Sequence, residues 1–159
     1  MPNPTRLSSA ERVRAALAAR GLDQLTVREF SQSTATAADA AAAIGTGVAQ
    51  IVKSLVFLAG DQPILVLASG PNRVDVDKLA ALLGQPIRRA NADQVRELTG
   101  FAVGGVPPIG HTQPLPTYVD RDLLQHGEVW ASAGTPRSVF PITPSELVRV
   151  TAGQVAELA

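Results

Sequence analysis

Lys53 stands in Ile51-Val52-Lys53-Ser54-Leu55-Val56-Phe57-Leu58, an ammonium group set into a run of strand-forming apolar residues. The chain has 14 basic residues, and Lys53 and Lys78 are its two lysines; the rest are arginines. On a β-strand Lys53, Leu55 and Phe57 share one face, and Val52, Ser54, Val56 and Leu58 share the other. An unpaired buried ammonium is costly, so this lysine must find water or a partner. Either it snorkels to solvent from the start of the strand, or it is a cation at a pocket mouth that binds an anion or polarises an oxygen. Nothing else in the sequence supports a Schiff-base lysine.

The second concentration of chemistry is Val103-Gly104-Gly105-Val106-Pro107-Pro108-Ile109-Gly110-His111. Glycine permits unusual backbone angles and close approach of a ligand, and proline stiffens what lies between. The N–H groups of Gly104 and Gly105 could face a carbonyl oxygen or an oxyanion; the alternative is a tight connection. The stretch lacks the Gly-Lys-Ser/Thr ending of a phosphate-binding P-loop. Its prolines also interrupt the helix that a dinucleotide fingerprint needs. Histidine is confined to His111 and His126, neither with a second histidine at ligand spacing, which argues against a metal site. No Gly-x-Ser-x-Gly elbow accompanies His111, so a Ser-His-Asp hydrolase is disfavoured and a loop-capping hydrogen bond is preferred for it. Ser132-Ala133-Gly134 closes an apolar run with another position open to close approach or to a turn.

These residues must be positioned by the elements around them. Ser8-Ser9-Ala10-Glu11 reads as a capping box that opens a helix through Arg20, with Val13 and Leu17 on one face and Gly21 as its stop. Thr36 caps an alanine-rich helix ending near Gly45. Residues 51–59 and 63–68 read as two strands of a hairpin around Gly60-Asp61. Asp75 and Asp77 open a helix through Leu83, and Asn91-Ala92-Asp93-Gln94 caps another to Leu98. Short strands are expected at 27–30, 87–90, 101–103, 117–120, 128–133 and 137–142. Thr143-Pro144-Ser145-Glu146 starts a last helix. The closeness of the last strands favours antiparallel pairing. The expectation is an α+β fold with a mixed, mostly antiparallel, curled sheet and helices around it.

The 159 residues, 45% hydrophobic and 18% charged, suit one globular domain spanning 1–159. No apolar run approaches the roughly 20 residues needed to span a bilayer. Met1-Pro2-Asn3-Pro4-Thr5-Arg6 is not the start of a signal peptide, so a cytoplasmic protein is expected. The absence of cysteine removes disulfides, thiolate metal sites and a cysteine nucleophile. Fourteen acids balance fourteen bases. Gripping nucleic acid by its phosphates alone calls for a basic excess, so any nucleic acid is expected to be held at one end or presented by a partner.

Taken together, "QIVKSLVF", "LTGFAVGGVPPIGH" and "ASAG" have the order and spacing of the YbaK/prolyl-tRNA-synthetase-associated domain family, which the chain resembles over nearly its whole length. The similarity is to the free-standing, ProX-type members. It implies a barrel-like mixed sheet surrounded by helices; no cofactor and no metal are expected. It implies trans-editing activity, in which the ester joining a wrong amino acid to tRNA, most often tRNA(Pro), is hydrolysed. Cysteine or alanine is the expected misattached residue, and prolyl-tRNA synthetase is a possible partner. Lys53 matches the family's essential lysine, and Ser54 the neighbouring hydroxyl position. Gly104, Gly105, Val106, Pro107, Pro108, Gly110 and His111 match the substrate-binding loop, and Ser132 and Gly134 the late Ser-x-Gly segment. Family members often carry an acid shortly after that segment; here Thr135-Pro136-Arg137-Ser138-Val139 has none, which leaves the amino acid removed undetermined. A non-catalytic module binding an aminoacyl-adenylate, a nucleotide or the tRNA 3′ end is the alternative function.

Overall fold

The computed structural model describes residues 7–159; the expectation for Met1–Arg6 lies outside the described residues. The helices begin where polar caps occur and stop where a residue turns left-handed. Ser8 Oγ accepts from the Glu11 N–H and donates to its carboxylate at the start of α1 (Ser9–Ala19). Thr36 caps α2 (Ala37–Ile44), and Asp75 caps α3 (Val76–Leu83). Asn91 and Gln94 form a reciprocal capping box on α4 (Ala92–Thr99). Thr143 caps α5 (Pro144–Thr151), with Pro144 at the first helical position. Gly45, Gly84 and Gly100 close α2, α3 and α4 at positive φ. These caps satisfy end groups that would otherwise lack partners.

The strands are β1 (Arg28–Glu29), β2 (Val52–Ala59), β3 (Gln62–Ser69), β4 (Ile87–Arg89), β5 (Thr117–Asp120), β6 (Val129–Ser132), β7 (Ser138–Ile142) and β8 (Gln154–Ala156). They form a three-stranded sheet, β1-β7-β6, and a five-stranded sheet, β4-β2-β3-β5-β8. The hairpin of β2 and β3 pairs Ala59 with Gln62 around Gly60-Asp61, as the turn chemistry predicts. β3–β5 and β5–β8 are parallel and the other pairings antiparallel. The fold is therefore α+β with a mixed sheet. A single parallel bridge, Ile51 to Trp130, joins the two sheets, which are not closed into a barrel.

The register decides which side chains share a face. Paired residues lie on the same face and i, i+2 residues stay on it. One continuous face thus runs from Arg28 through Val139 and Ser132, across Trp130 and Ile51, to Lys53 and Leu55. The opposite face carries Val52, Val56, Leu65, Leu67, Val119, Val129, Ala131 and Phe140, and packs with Val13, Leu17, Val95 and Leu147 of the helices into the main core. On the Lys53 side, α2 packs Ala40 and Ala41 against Ile51 and Trp130, and Leu79 of α3 packs with Phe57 and Val66.

The expected strand at 101–103 does not form. Gly100 has already reversed the chain after α4, and the Gly105 N–H donates to the Ala102 carbonyl in a turn. Phe101 is buried in the core with the Arg12 guanidinium 4.3 Å from its ring centroid. Its hydrophobicity thus serves burial in a loop rather than strand pairing. β8, which the sequence reading did not anticipate, is three residues added parallel to β5. Among the described residues, no helix is long and apolar enough to cross a membrane.

Candidate functional site

β2 and β6 meet at the Ile51–Trp130 bridge and then separate. β4 pairs only with Phe57–Ala59, so the edge of β2 from Val52 to Val56 is not covered by a neighbouring strand. The Ala90 N–H donates to the Val56 carbonyl at 3.1 Å, which shows that Val56 turns its backbone groups away from β3. Hydrogen-bonding direction alternates along an antiparallel strand. Ser54, two residues earlier, therefore turns its own N–H and C=O into the gap.

That gap is a cavity of about 510 Å³, within the roughly 300–1,000 Å³ of small-ligand sites. Its walls come from β2, from the segment Thr34–Ala37 leading into α2, from the loop at Val103, Gly104 and Val106, and from Trp130, Ala131 and Ser132 of β6. Arg89 and Lys53 are the cations on this wall, which among the described residues includes no carboxylate and no histidine. Val103, 58% exposed, stands at the rim.

Lys53 donates through Nζ to the Asn72 carbonyl. Asn72 is itself held: its Nδ2 donates to Asp120 Oδ2 at 2.8 Å and to Asp122 Oδ2 at 2.7 Å. Asp120 is buried and also accepts from the Ser69 N–H at 3.1 Å and the Asp122 N–H at 3.0 Å. The lysine is thus fixed by a chain of hydrogen bonds anchored in a buried carboxylate. Burial pushes the Lys53 pKa below the usual 10.5; repulsion from Arg89 lowers it further, and Asp120 opposes the fall. An ammonium has three donors, and the Asn72 contact uses one of them.

Ser54 Oγ is buried without a hydrogen-bond partner among the described residues. An unsatisfied buried hydroxyl costs about 1–3 kcal/mol. Ser54→Ala removes that cost and is expected to raise the thermal midpoint. If the hydroxyl is retained to contact a ligand, the same variant loses activity about tenfold, roughly one hydrogen bond. Calorimetry and turnover on one preparation check both; a stabilised variant of undiminished activity would remove Ser54 from the site.

Of the residues expected from sequence, Lys53, Ser54, Gly104, Val106 and Ser132 converge on the cavity. Gly105, Pro107, Pro108, Gly110, His111 and Gly134 are not on its wall. Gly105 lies against Gly134 and Thr135, where an added Cβ would be 3.0 Å from the Thr135 backbone. Gly110 turns at φ +87° beside Ala16. His111 closes the loop as expected, its Nε2 2.7 Å from the Pro107 carbonyl. A carbonyl only accepts, so this nitrogen bears the proton. Burial is the main cause of a lowered His111 pKa; the Pro107 contact resists it and Arg20 adds to it.

Sequence reasoning missed Thr34, Arg89, Trp130 and the Asn72–Asp120 support. Trp130 is the lone tryptophan of the chain, which was a signal. Asn72 sits in a turn, where polar residues are ordinary, and carried none.

Known proteins resemble this chain over most of its length. Residues 31–150 match the model of the aminoacyl-tRNA editing domain. YwhH of Bacillus subtilis is 37% identical over 122 residues, which are 76% of this chain and 78% of that protein. EbsC of Enterococcus faecalis, named as a candidate Cys-tRNA(Pro)/Cys-tRNA(Cys) deacylase, is 27% identical over 81% of this chain and 80% of its own. A crystal structure of a candidate trans-editing enzyme for prolyl tRNA synthetase superposes with TM-score 0.91 at 55% identity, covering 96% of this chain and 98% of the other. With the matched region running from before α2 through most of α5 and including every wall of the cavity, this chain belongs to the aminoacyl-tRNA editing domain family.

Proposed function

We propose that the protein is a trans-editing hydrolase that deacylates mischarged tRNA, with tRNA(Pro) carrying alanine or cysteine as its substrate. The observation that carries this reading is the cavity wall itself: two cations, an unpartnered hydroxyl and an uncovered strand edge, with no acid–histidine pair. Such a wall suits a substrate that is already an activated ester and is attached to an anionic polymer.

Hydrolysis of that ester adds a water oxygen to the carbonyl carbon and breaks the bond to the ribose oxygen. The ribose oxygen receives a proton, and a free amino acid leaves. Positioning and charge stabilisation supply most of what this reaction needs. The Lys53 ammonium faces the oxygen that becomes negative, or the ribose–phosphate side of the terminal adenosine. The uncovered N–H of Ser54 offers a donor at the strand edge, and Ser54 Oγ offers another from the opposite face of β2. With no nucleophilic cysteine or histidine on the wall among the described residues, the attacking group comes from solvent or from the substrate: a water, which the neighbouring ribose hydroxyl can orient or deprotonate, or the thiol of a cysteinyl ester, which would expel the ribose oxygen by forming a thiolactone that water then opens to the free amino acid. The Gly104 loop closes over the acyl end, where φ +87° and the 3.1 Å from a built Cβ to Ala35 leave no easy room for a side chain.

Small residues make up part of the cavity wall, Ala35, Ala37, Ala40, Gly104 and Ser132 among them. A bulky acyl group is excluded by clash, whereas small apolar groups differ by only about 1–3 kcal/mol per methylene. Incubating the purified protein with alanyl-, cysteinyl- and prolyl-tRNA(Pro), with and without prolyl-tRNA synthetase, tests the reading. Alanyl and cysteinyl esters should be cleaved with overlapping rates and the prolyl ester spared. Rapid loss of proline, or binding of small-residue esters without turnover, would overturn it; the second outcome would mark a non-catalytic binding module.

A further inference from the structure

Arg28 is exposed, yet it is not loose. Its guanidinium carbon lies 5.0 Å from the ring centroid of Phe30 and 5.5 Å from that of Trp130. Two aromatic contacts restrain a side chain that would otherwise sample many rotamers, and they leave the charge in place. The neighbouring acid does not neutralise it: Glu29 pairs with Arg14 at 3.6 Å, and Arg28 makes no ion pair among the described residues. The result is an oriented cation whose planar fork of N–H donors has no anionic partner.

Its place in the sheet gives the cation a direction. Arg28 pairs with Val139, and Val139 pairs with Ser132, so the three side chains share a face. Val139, Ser132 and Trp130 all line the cavity. Arg28 starts two strand spacings from Ser132, about 10 Å, and its guanidinium is drawn toward Trp130 at the cavity wall. Arg89 approaches the cavity from β4, on the other side of the β2 edge.

We propose that Arg28, held by Phe30 and Trp130, is a phosphate subsite that grips the RNA backbone next to the aminoacylated 3′ end. A guanidinium held against two rings keeps its N–H donors free, and its fork matches two phosphate oxygens at once. The proposal rests on the ester-hydrolysis reading for its substrate. It adds a contact that lies beyond the acyl pocket and recognises the polymer rather than the amino acid. It also accounts for a neutral protein handling tRNA: the charge is local and oriented instead of spread over the surface.

The test compares alanyl-tRNA(Pro) with alanyl-adenosine, which carries the same ester but no phosphate, for wild type, Arg28→Ala and Arg28→Lys. The expected result is that Arg28→Ala lowers the ratio of kcat/KM for the tRNA ester over the adenosine ester about tenfold, mainly through KM, as loss of a hydrogen-bonded charge predicts. Arg28→Lys should recover only part, because a point charge does not reproduce the fork. The wild-type preference should also shrink with added salt while that of Arg28→Ala changes less. An unchanged ratio, or full recovery in Arg28→Lys, overturns the subsite. If wild type cleaves neither ester, the hydrolysis reading fails by itself. Binding of uncharged tRNA then decides: weaker binding by Arg28→Ala keeps the subsite, and equal binding removes it.

Discussion

Lys53→Ala is expected to lower kcat/KM for alanyl- or cysteinyl-tRNA(Pro) by about 100-fold or more, the scale of losing one preorganised charge-stabilising donor. Lys53→Arg should fail as well, since a longer planar fork does not replace a compact ammonium held on the Asn72 carbonyl. The fold should survive both changes, because the side chain is only partly buried. The charge also sets a pH signature. If the cation is the active form, the rate falls as pH rises through the lowered Lys53 pKa, before 10.5 is reached. Asp120 favours the ammonium, so Asp120→Asn should move that alkaline limb to lower pH. Stability has the opposite slope. The folded state binds fewer protons at Lys53 than the unfolded chain between the lowered pKa and 10.5, so the burial cost is fully present at neutral pH and is relieved as pH climbs through that interval. Lys53→Met, which carries no charge, should therefore gain thermal stability at pH 7 and lose the gain above 10.5. Near-normal turnover in Lys53→Ala would take the lysine out of the mechanism.

A large effect on stability is expected from Gly134→Ala. Gly134 follows β6 at φ +100°, a conformation that L side chains rarely adopt. A Cβ there would lie 2.8 Å from the Ser9 carbonyl oxygen, 3.0 Å from Val13 Cγ2 and 3.1 Å from Phe101 Cε1. The first is backbone at the start of α1, and the other two side chains are buried in the core, so none of them yields cheaply. Backbone strain of about 1–3 kcal/mol adds to overpacking of about 1–3 kcal/mol. A fall of about 2–6 kcal/mol follows, read as a lower denaturation midpoint. Because Gly134 is off the cavity wall, activity per folded molecule should change far less than stability. A variant with normal stability and lost turnover would instead place Gly134 in contact with substrate.

These two positions show how differently the expected site residues read in the sequence. Lys53 and Ser54 announce themselves locally: a charge in an apolar strand needs an explanation wherever the strand lies. Gly105, Gly110 and Gly134 look the same in sequence whether they meet a ligand or a packed neighbour, since both demand the absence of a Cβ. Only the neighbours tell them apart, and Gly134 meets Ser9, Val13 and Phe101 from segments far away in the chain.

What the amino-acid order determines by itself is whatever depends on contacts within a few residues. The helix starts at Ser8, Thr36, Asp75, Asn91 and Thr143 and the stops at Gly45, Gly84 and Gly100 are hydrogen-bonded or conformational events inside one turn. The β2–β3 hairpin likewise follows from two runs of strand-forming residues around a two-residue turn. The strand expected at 101–103 failed because apolar content reports burial, and burial is available to a loop wedged beneath Arg12. The cavity exists because Ile51 bridges Trp130, 79 positions away, and β2 then parts from β6. No local pattern encodes that pairing, nor the placing of Asn72 between Lys53 and Asp120, nor Arg28 on the same face as Ser132. Those juxtapositions are decided by long-range register, where many alternatives satisfy the same periodicity and only packing of the whole core selects one.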